Sequence, residues 1–243
     1  MAMDKAGQTQ MFAALREVST ATLTTVLVAR GLRNVWIRSA VPLAGAGQQR
    51  IVGPAFTLRF IPQREDLATP AAWASPISTR AAIEDMPPGA IAVASAAHGI
   101  TDAGIFGDIL SMRMAVRGVA GLVTDGAMRD VTGVINSGLP VWAAGVAAPP
   151  SVSSLVFAGW QEPIGCGGVA VFPGDIMVAD DDGAVVVPAA LAAEVTAEAV
   201  KQEAFEEWVV KEVRQGAALP GLYPPNDATL ARYRDHMTSE NQS

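Results

Sequence analysis

At 243 residues, half of them hydrophobic, the chain can bury a sizeable core as one large domain or two small ones. Its formal net charge of −7, from 17 Lys and Arg against 24 Asp and Glu, argues against a sequence-independent grip on nucleic acid, which needs clustered cations. The single cysteine, Cys166, excludes an internal disulfide framework and a cysteine-rich zinc site, as expected of a reducing, cytoplasmic setting.

The opening MAMDKAGQTQMFAAL lacks the basic-then-apolar pattern of a signal peptide, and no apolar run approaches the roughly 20 residues of a membrane span, so no membrane partner is expected. From Gln10 to Arg30 the apolar spacing of Phe12, Leu15, Val18, Leu23, Val26 and Leu27 is helical, with Ser19 and Thr20 able to cap a second helix near Ala21 and Gly31 ending it. Trp36 to Leu43 is short and apolar, and AGAGQQ after it reads as a loop. Ile51 to Ile61 alternates as a half-buried strand, with Phe56, Leu58 and Phe60 on one face and Ala55, Thr57 and Arg59 on the other. Arg64, Glu65 and Asp66 form a charged turn or a helix start, and Thr79 to Met86 is a short helix stopped by Pro87, Pro88 and Gly89.

Beyond that stop the pattern is α/β. Strands are expected at Ala90–Ser95, Val119–Thr124 and Pro140–Ala144, with helices at Gly107–Arg117 and Val131–Ser137 between them. Near-continuously apolar strands separated by helices point to a parallel sheet with both faces covered, whose ligands gather beyond the carboxyl ends of the strands. The segments at those ends are His98–Phe106 and Asp125–Asp130. Gly167–Phe172, Ile176–Ala179 and Ala184–Val187 suggest a meander of short strands; Asp180, Asp181 and Asp182 lack the spacing of a calcium loop and read as a hairpin turn. Pro188–Arg214 is a long helix carrying the acidic group Glu203, Glu206 and Glu207, and the tail Leu219–Ser243 is polar, suited to a short arm on a neighbouring subunit. No repeat, low-complexity segment or linker divides the chain. Residues 1–243 are therefore read as one compact domain: N-terminal helices over 10–31, an α/β core over 51–188, and a C-terminal helix and tail over 188–243.

Two scarcities prune the chemistry. The lysines, Lys5, Lys201 and Lys211, sit at the amino end and on the polar C-terminal helix, which disfavours a buried Schiff-base lysine. With only His98 and His236, a multi-histidine metal site is excluded within one chain. What remains is carboxylates, arginines, hydroxyls, backbone amides and a hard metal ion. These converge between Gly104 and Val131. The amides of Asp108, Ile109 and Leu110 open a helix whose positive dipole end favours an anion. Arg129 can fork two hydrogen bonds onto a carboxylate or steady an enolate oxygen, and Asp130 is a hard oxygen ligand for Mg²⁺ or Mn²⁺. A 2-oxo acid satisfies all three. The same spacing also allows a plain loop salt bridge at Arg129 and Asp130 with Asp108 as a helix cap; Asp125 reads as a turn residue, His98 as a polar loop residue and Cys166 as a small packed one.

The run TDAGIFGDIL at Thr101–Leu110, ARG within Ala115–Gly118 with one residue intervening, and TDGAMRD at Thr124–Asp130 resemble the RraA-like family. That family includes 4-hydroxy-4-methyl-2-oxoglutarate/4-carboxy-4-hydroxy-2-oxoadipate aldolases. STATLTTVL (Ser19–Leu27), GPAFTL (Gly53–Leu58), REDL (Arg64–Leu67), IGCGGVAVFPGD (Ile164–Asp175) and ADDDGAVVVP (Ala179–Pro188) extend the likeness over most of the chain. The resemblance implies a swivelling β/β/α fold that forms homotrimers or hexamers with active sites between subunits. It further implies a metal-dependent pyruvate aldolase, a lyase cleaving a 4-hydroxy-2-oxo diacid to pyruvate through a metal-bound enolate, with oxaloacetate decarboxylation as a second route. In that scheme Asp130 holds Mg²⁺ or Mn²⁺ largely through water, Arg129 binds pyruvate and polarises its ketone, and the amides of Gly107, Asp108, Ile109 and Leu110 hold the carboxylate. Water carries the proton, and Glu206 or Glu207 reaches the neighbouring site.

The chain departs from the aldolase pattern at two places: Thr25 stands where the aldolases have a glutamate on the amino-terminal helix, and a lysine after the strand ending near Ala144 has no counterpart. Both positions surround the distal part of the substrate. The family also contains proteins that bind and inhibit an RNA-degrading endonuclease without chemistry of their own, the alternative expectation here. A methyltransferase is not expected, because no strand is followed by a GxGxG loop opening a helix.

Overall fold

The computed structural model describes residues 4–44, 46 and 49–240. Helix α1 (Lys5–Arg16) starts earlier than its apolar spacing suggests, because the Asp4 side chain accepts the Gly7 amide at 2.8 Å. Helix α2 (Thr20–Ala29) is capped by Ser19, which accepts the Thr22 amide at 3.0 Å. Half of the expected AGAGQQ loop lies outside the described residues, at Gly45, Gly47 and Gln48.

The strands in chain order are β1 (Val41–Pro42), β2 (Ile51–Pro62), β3 (Ile91–Ala96), β4 (Gly104–Phe106), β5 (Gly121–Thr124), β6 (Ala127–Met128), β7 (Val141–Ala143) and β8 (Gly145–Val146). After them come β9 (Leu155–Trp160), β10 (Ile164–Cys166), β11 (Val169–Val171), β12 (Ile176–Asp180) and β13 (Gly183–Val187). Helices α3 (Thr79–Asp85), α4 (Asp108–Val116) and α5 (Val131–Asn136) lie between strands of the core, and α6 (Ala192–Arg214) and α7 (Asp227–Glu240) follow it. The main sheet runs β1-β7-β5-β3-β2-β12-β13, with β9 also on β2. As expected, β3, β5 and β7 are mutually parallel, and β2 joins them in parallel. The hairpin β12–β13 and strands β1 and β9 add antiparallel edges.

Strand β2 is the spine. One edge pairs β3 over Ala55–Phe60, and the other is shared, Ile51–Pro54 by β12 and Leu58–Pro62 by β9, with a register shift at Arg59 and Phe60. Its faces are covered by different layers: Phe56, Leu58 and Phe60 pack with Ile83, Met86, Phe106 and Met114, whereas Ala55 packs with Ile37, Val93, Trp142, Cys166 and Met177. The half-buried reading of this strand is thereby corrected. Thr57 is fully buried too, its hydroxyl donating to Glu162 O at 2.7 Å, and only Arg59 of the expected outer face is exposed. The alternation marked a polar face that the β10–β11 hairpin and its neighbours cover.

That hairpin pairs only within itself, so the expected meander is two separate hairpins, β10–β11 and β12–β13. A third cluster joins Leu15, Val18, Leu23 and Leu27 of the amino-terminal helices to Val178, Val185 and Val187, under Val195 and Ala199 of α6. The tail differs from its expected role as an arm. Helix α7 folds back on α6 of its own chain, where Tyr233 meets the Phe205 ring at 5.1 Å and the Trp208 ring at 5.3 Å. Aromatic residues three to four apart on two helices supply an interface that the polar composition of the tail conceals. Among the described residues no single helix is long and apolar enough to cross a membrane.

The element that positions the site is a small parallel sheet, β4-β6-β8. Main-sheet strands β3, β5 and β7 are each followed by one of its members, so the loops beyond their carboxyl ends are stitched into a second layer.

Asp180, buried at the end of β12, accepts the Thr20 amide at 2.9 Å, the Thr20 hydroxyl at 2.6 Å, the Asp182 amide at 3.0 Å and Nε of Arg50 at 3.2 Å. It joins the start of α2 to the β12–β13 turn. Replacing Asp180 with Ala strands the buried Thr20 donors and lowers stability by about 1–3 kcal/mol, read as a lower urea midpoint at unchanged slope.

Candidate active site

The site begins with a close approach of two backbones. A Cβ on Gly104 would lie 2.6 Å from Cβ of Arg129, and one on Gly107 would lie 2.8 Å from Oδ2 of Asp130. Only glycine admits both contacts. Across this seam Arg129 N–H donates to Phe106 O at 3.0 Å. Asp130 then turns into the left-handed region, at φ 51° and ψ 44°, as the residue before α5. A left-handed aspartate stores local strain, a feature concentrated at functional sites. Its side chain makes no capping bond to α5 and instead accepts Nε of Arg129 at 3.0 Å. The two charges do face each other.

Gly107 ends the approach and starts α4 without a side-chain cap. The first helical bond is from Ser111 N–H to Gly107 O at 3.0 Å, so the amides of Asp108, Ile109 and Leu110 stand ahead of it. Asp108 corrects one expectation: its Oδ1 accepts the Ile109 amide at 2.7 Å, so the amides of Asp108 and Leu110 are the ones without an acceptor among the described residues. Gly107, Asp108, Ile109, Leu110, Arg129 and Asp130 all line one cleft of about 950 Å³. Helix α3 and the short 3₁₀ turn Pro70–Ala74 also line it, contributing Trp73, Arg80, Ile83 and Glu84, together with Ile105 and Arg113.

The charges in this cleft are mostly paired. Arg113 of α4 grips Glu84 of α3 through two bonds of 2.7 Å, and Arg117 adds a third at 3.1 Å. The hydrogen bonds from Arg113 hold the Glu84 carboxyl below its ordinary value, with Arg117 adding to the effect. For a cation, the donor on offer is Asp130. Its side chain is 48% exposed, Oδ2 is on Arg129, and Oδ1 has no protein partner among the described residues. No group of three or more His, Cys, Asp or Glu side chains is gathered as a metal cage among the described residues. One open carboxylate oxygen in an open cleft fits Mg²⁺ or Mn²⁺, which keep several waters and take one or two carboxylates.

Other candidates lie elsewhere. Glu206 is engaged within its own chain, accepting Thr22 Oγ1 at 3.2 Å, Gln202 Nε2 at 2.7 Å and Tyr223 OH at 3.0 Å, and neither it nor the exposed Glu207 reaches this cleft. Thr25 bonds back to Ala21 O at 3.2 Å. Asp125 does more than shape a turn: it is buried and accepts the Ala96 amide at 2.7 Å and the Gly167 amide at 3.0 Å, tying the β10–β11 hairpin to the strand ends. Burial, with Asp125 adjacent, pushes the Cys166 thiol well above its ordinary range, so it stays protonated and packed. His98 is exposed on its loop.

Residues 16–186 match the model of a family described as RraA-like, aldolase/RraA. The chain belongs to the RraA-like family. It is 30% identical over 158 residues to a protein of Halalkalibacterium halodurans provisionally named 4-hydroxy-4-methyl-2-oxoglutarate aldolase, a match covering 65% of this chain and 69% of that one. A match to protein DlpA of Legionella pneumophila, 29% identical over 170 residues, covers 70% of this chain but only 26% of DlpA, so the chain spans about a quarter of that relative. Among solved structures, Streptomyces coelicolor RraAS2, an unusual member of the RNase ES inhibitor RraA protein family, superposes with a TM-score of 0.73 at 36% identity. That match covers 86% of this chain and 97% of RraAS2. The α/β fold is thus RraA-like, in a family holding both aldolases and RraA inhibitors.

In this RraA-like chain, Trp73, Arg80, Glu84 and Arg113 join the cleft without any local motif to announce them. The only trace in the sequence is Arg80 and Glu84, four apart on a short helix and so on one face. The Glu84–Arg113 tie between α3 and α4 carries a pH signature. A carboxyl held below its ordinary value of 4.5 stabilises the fold fully above that pH, and the contribution fades as pH falls through the lowered folded value. Urea unfolding at stepped pH checks this: Glu84→Gln should be less stable than wild type near neutrality and converge with it in acid.

Proposed function

We propose that this RraA-like protein is a divalent-metal-dependent lyase that cleaves a 4-hydroxy-2-oxo diacid to pyruvate and decarboxylates oxaloacetate by the same route. The observation that carries the reading is the convergence in one cleft of unspent helix-start amides, the Arg129 guanidinium and the open Asp130 carboxylate. The 30% identity to a provisionally named 4-hydroxy-4-methyl-2-oxoglutarate aldolase supports it.

The amides of Asp108 and Leu110, at the positive end of α4, receive the carboxylate next to the ketone. Nη1 and Nη2 of Arg129 have no acceptor among the described residues and donate to the ketone oxygen, where charge builds. Asp130, through its free oxygen and water, would hold Mg²⁺ or Mn²⁺, which supplies Lewis acidity toward the 2-oxo acid when bound. As the bond between C3 and C4 breaks, its electron pair passes into C3 and onto the ketone oxygen. The C4 hydroxyl proton leaves to water and C4 becomes a carbonyl. Water then protonates C3, giving pyruvate. Arg129 stabilises the enolate charge, and its bond to Asp130 fixes the guanidinium before substrate arrives.

Assembly as a homotrimer or hexamer belongs to the same reading. Ile109, 78% exposed, and Met112 and Val116 form an apolar stripe on α4 beside the cleft, suited to burial by a second copy. Glu207, exposed and away from its own cleft, is then available to a neighbour's.

The 36% identity to RraAS2 favours a second reading, a protein that binds and inhibits an RNA-degrading endonuclease. The readings part at Asp130. Pyruvate release from a 4-hydroxy-2-oxo diacid or oxaloacetate, followed with lactate dehydrogenase, should require Mg²⁺ or Mn²⁺ and cease on chelation. Arg129→Ala and Asp130→Ala should each lower kcat/KM by about 10²–10³-fold. Rates indifferent to both changes would remove the lyase reading. Full endonuclease inhibition by the Asp130→Ala protein, with no lyase activity in the wild type, would install the second.

A further inference from the structure

Three arginines line the cleft, and two of them are held in ion pairs. Arg129 is paired with Asp130, and Arg113 is held at both ends by Glu84. Arg80 is different. Among the described residues its guanidinium makes no ion pair or hydrogen bond; its one recorded contact is the face of Trp73, 5.1 Å from the ring centroid. Glu84, one helical turn along α3, bonds Arg113 and Arg117 through its two carboxylate oxygens and makes no bond to Arg80. A guanidinium stacked on an indole loses rotational freedom at its face while its edge keeps its donors, the geometry for a planar, bidentate anion.

Arg80 also enters the cleft from a different element than the pyruvate-holding groups. It belongs to α3, whereas the amides, Arg129 and Asp130 come from the start of α4 and the β6–α5 junction. Ile83 and Ile105 add apolar lining to the same cleft. Arg113, which ties α3 to α4, lies five residues beyond Asp108, about 7.5 Å along the helix by its rise. The tie between α3 and α4 thus lies more than one helical turn along α4 from the amides.

We propose, resting on the reading that the cleft takes a 2-oxo diacid, that Arg80, ordered by Trp73, binds the second carboxylate of that diacid and makes the protein select diacids over monoacids. Arg80 is a specificity-determining residue and takes no part in bond breaking. Its role supplies within this chain the distal recognition that Thr25 and the absent lysine leave open.

The test is calorimetry on the full chain with Mg²⁺ present, using 2-oxoglutarate as the diacid and 2-oxobutyrate as the monoacid. Wild type should bind 2-oxoglutarate about tenfold more tightly, the scale of one charge-assisted contact. Arg80→Gln should bring the ratio near one, Arg80→Lys should restore part of it, and Trp73→Leu should lower it with the charge intact. Arg80 is exposed, so the variants should keep the wild-type circular dichroism. A ratio that survives Arg80→Gln, a wild type that shows no preference, or one that binds neither acid overturns the proposal. A wild type that discriminates through Arg80 yet releases no pyruvate from any hydroxy-oxo diacid keeps the anion site and overturns the lyase reading instead.

Discussion

The constraint on which the site depends is the absence of two side chains. Where Gly104 and Gly107 run beside Arg129 and Asp130, any Cβ would occupy the space that the arginine stem and the aspartate carboxylate now fill. The approach is held from beneath by backbone: β4 pairs β6, and Arg129 N–H reaches Phe106 O. Because the chain leaves this seam at Gly107 into α4 and at Asp130 into α5, two helix starts and a charge pair come together at one point. The left-handed turn of Asp130 is tolerated because the surrounding ladder over-determines it.

The main sheet makes that seam rigid. Strand β2, flanked on both edges and covered on both faces, anchors β3, and β3 in turn registers β5. Loops beyond the carboxyl ends of such strands are the usual place for ligands. Here they are tightened into a second sheet, so the groups they carry are preset. Electrostatics follow the same economy: most charged side chains of the cleft are engaged with a neighbour, and among the described residues Asp130 Oδ1, the Arg129 Nη groups, Arg80 and the amides of Asp108 and Leu110 are among the polar groups left for a ligand.

Much of this was legible in the residues. Near-continuous apolar runs at Ile91–Ala96, Gly121–Thr124 and Val141–Ala143 announced parallel, doubly covered strands, and Ser19, with its hydroxyl beside a helical pattern, announced a cap. Periodicity needs several residues to register, so the members of β4-β6-β8, two or three residues each, left no pattern. Strand β9 is only partly buried and reads as neither period. The polar face of β2 was real in composition, but composition cannot show that Thr57 has a carbonyl partner waiting in the turn after β9. Helix α7 was hidden for a similar reason: its polar sequence gains stability from aromatic residues on a different helix.

By itself the sequence determined which chemistry was available, since scarce lysine, histidine and cysteine left arginine, carboxylate and amide, and the motifs around Gly107, Arg129 and Asp130 determined the family. Those are local properties, written in identity and spacing. Tertiary structure decided that Arg129 and Asp130 face each other, that the Asp108 side chain consumes the Ile109 amide, that Glu206 is held by its own chain, and that Arg80, among the described residues, enters the cleft without an ion pair. Each of these depends on which distant segment supplies a partner. Pairing between residues far apart in the chain is set by packing of the whole core, which no window of sequence contains.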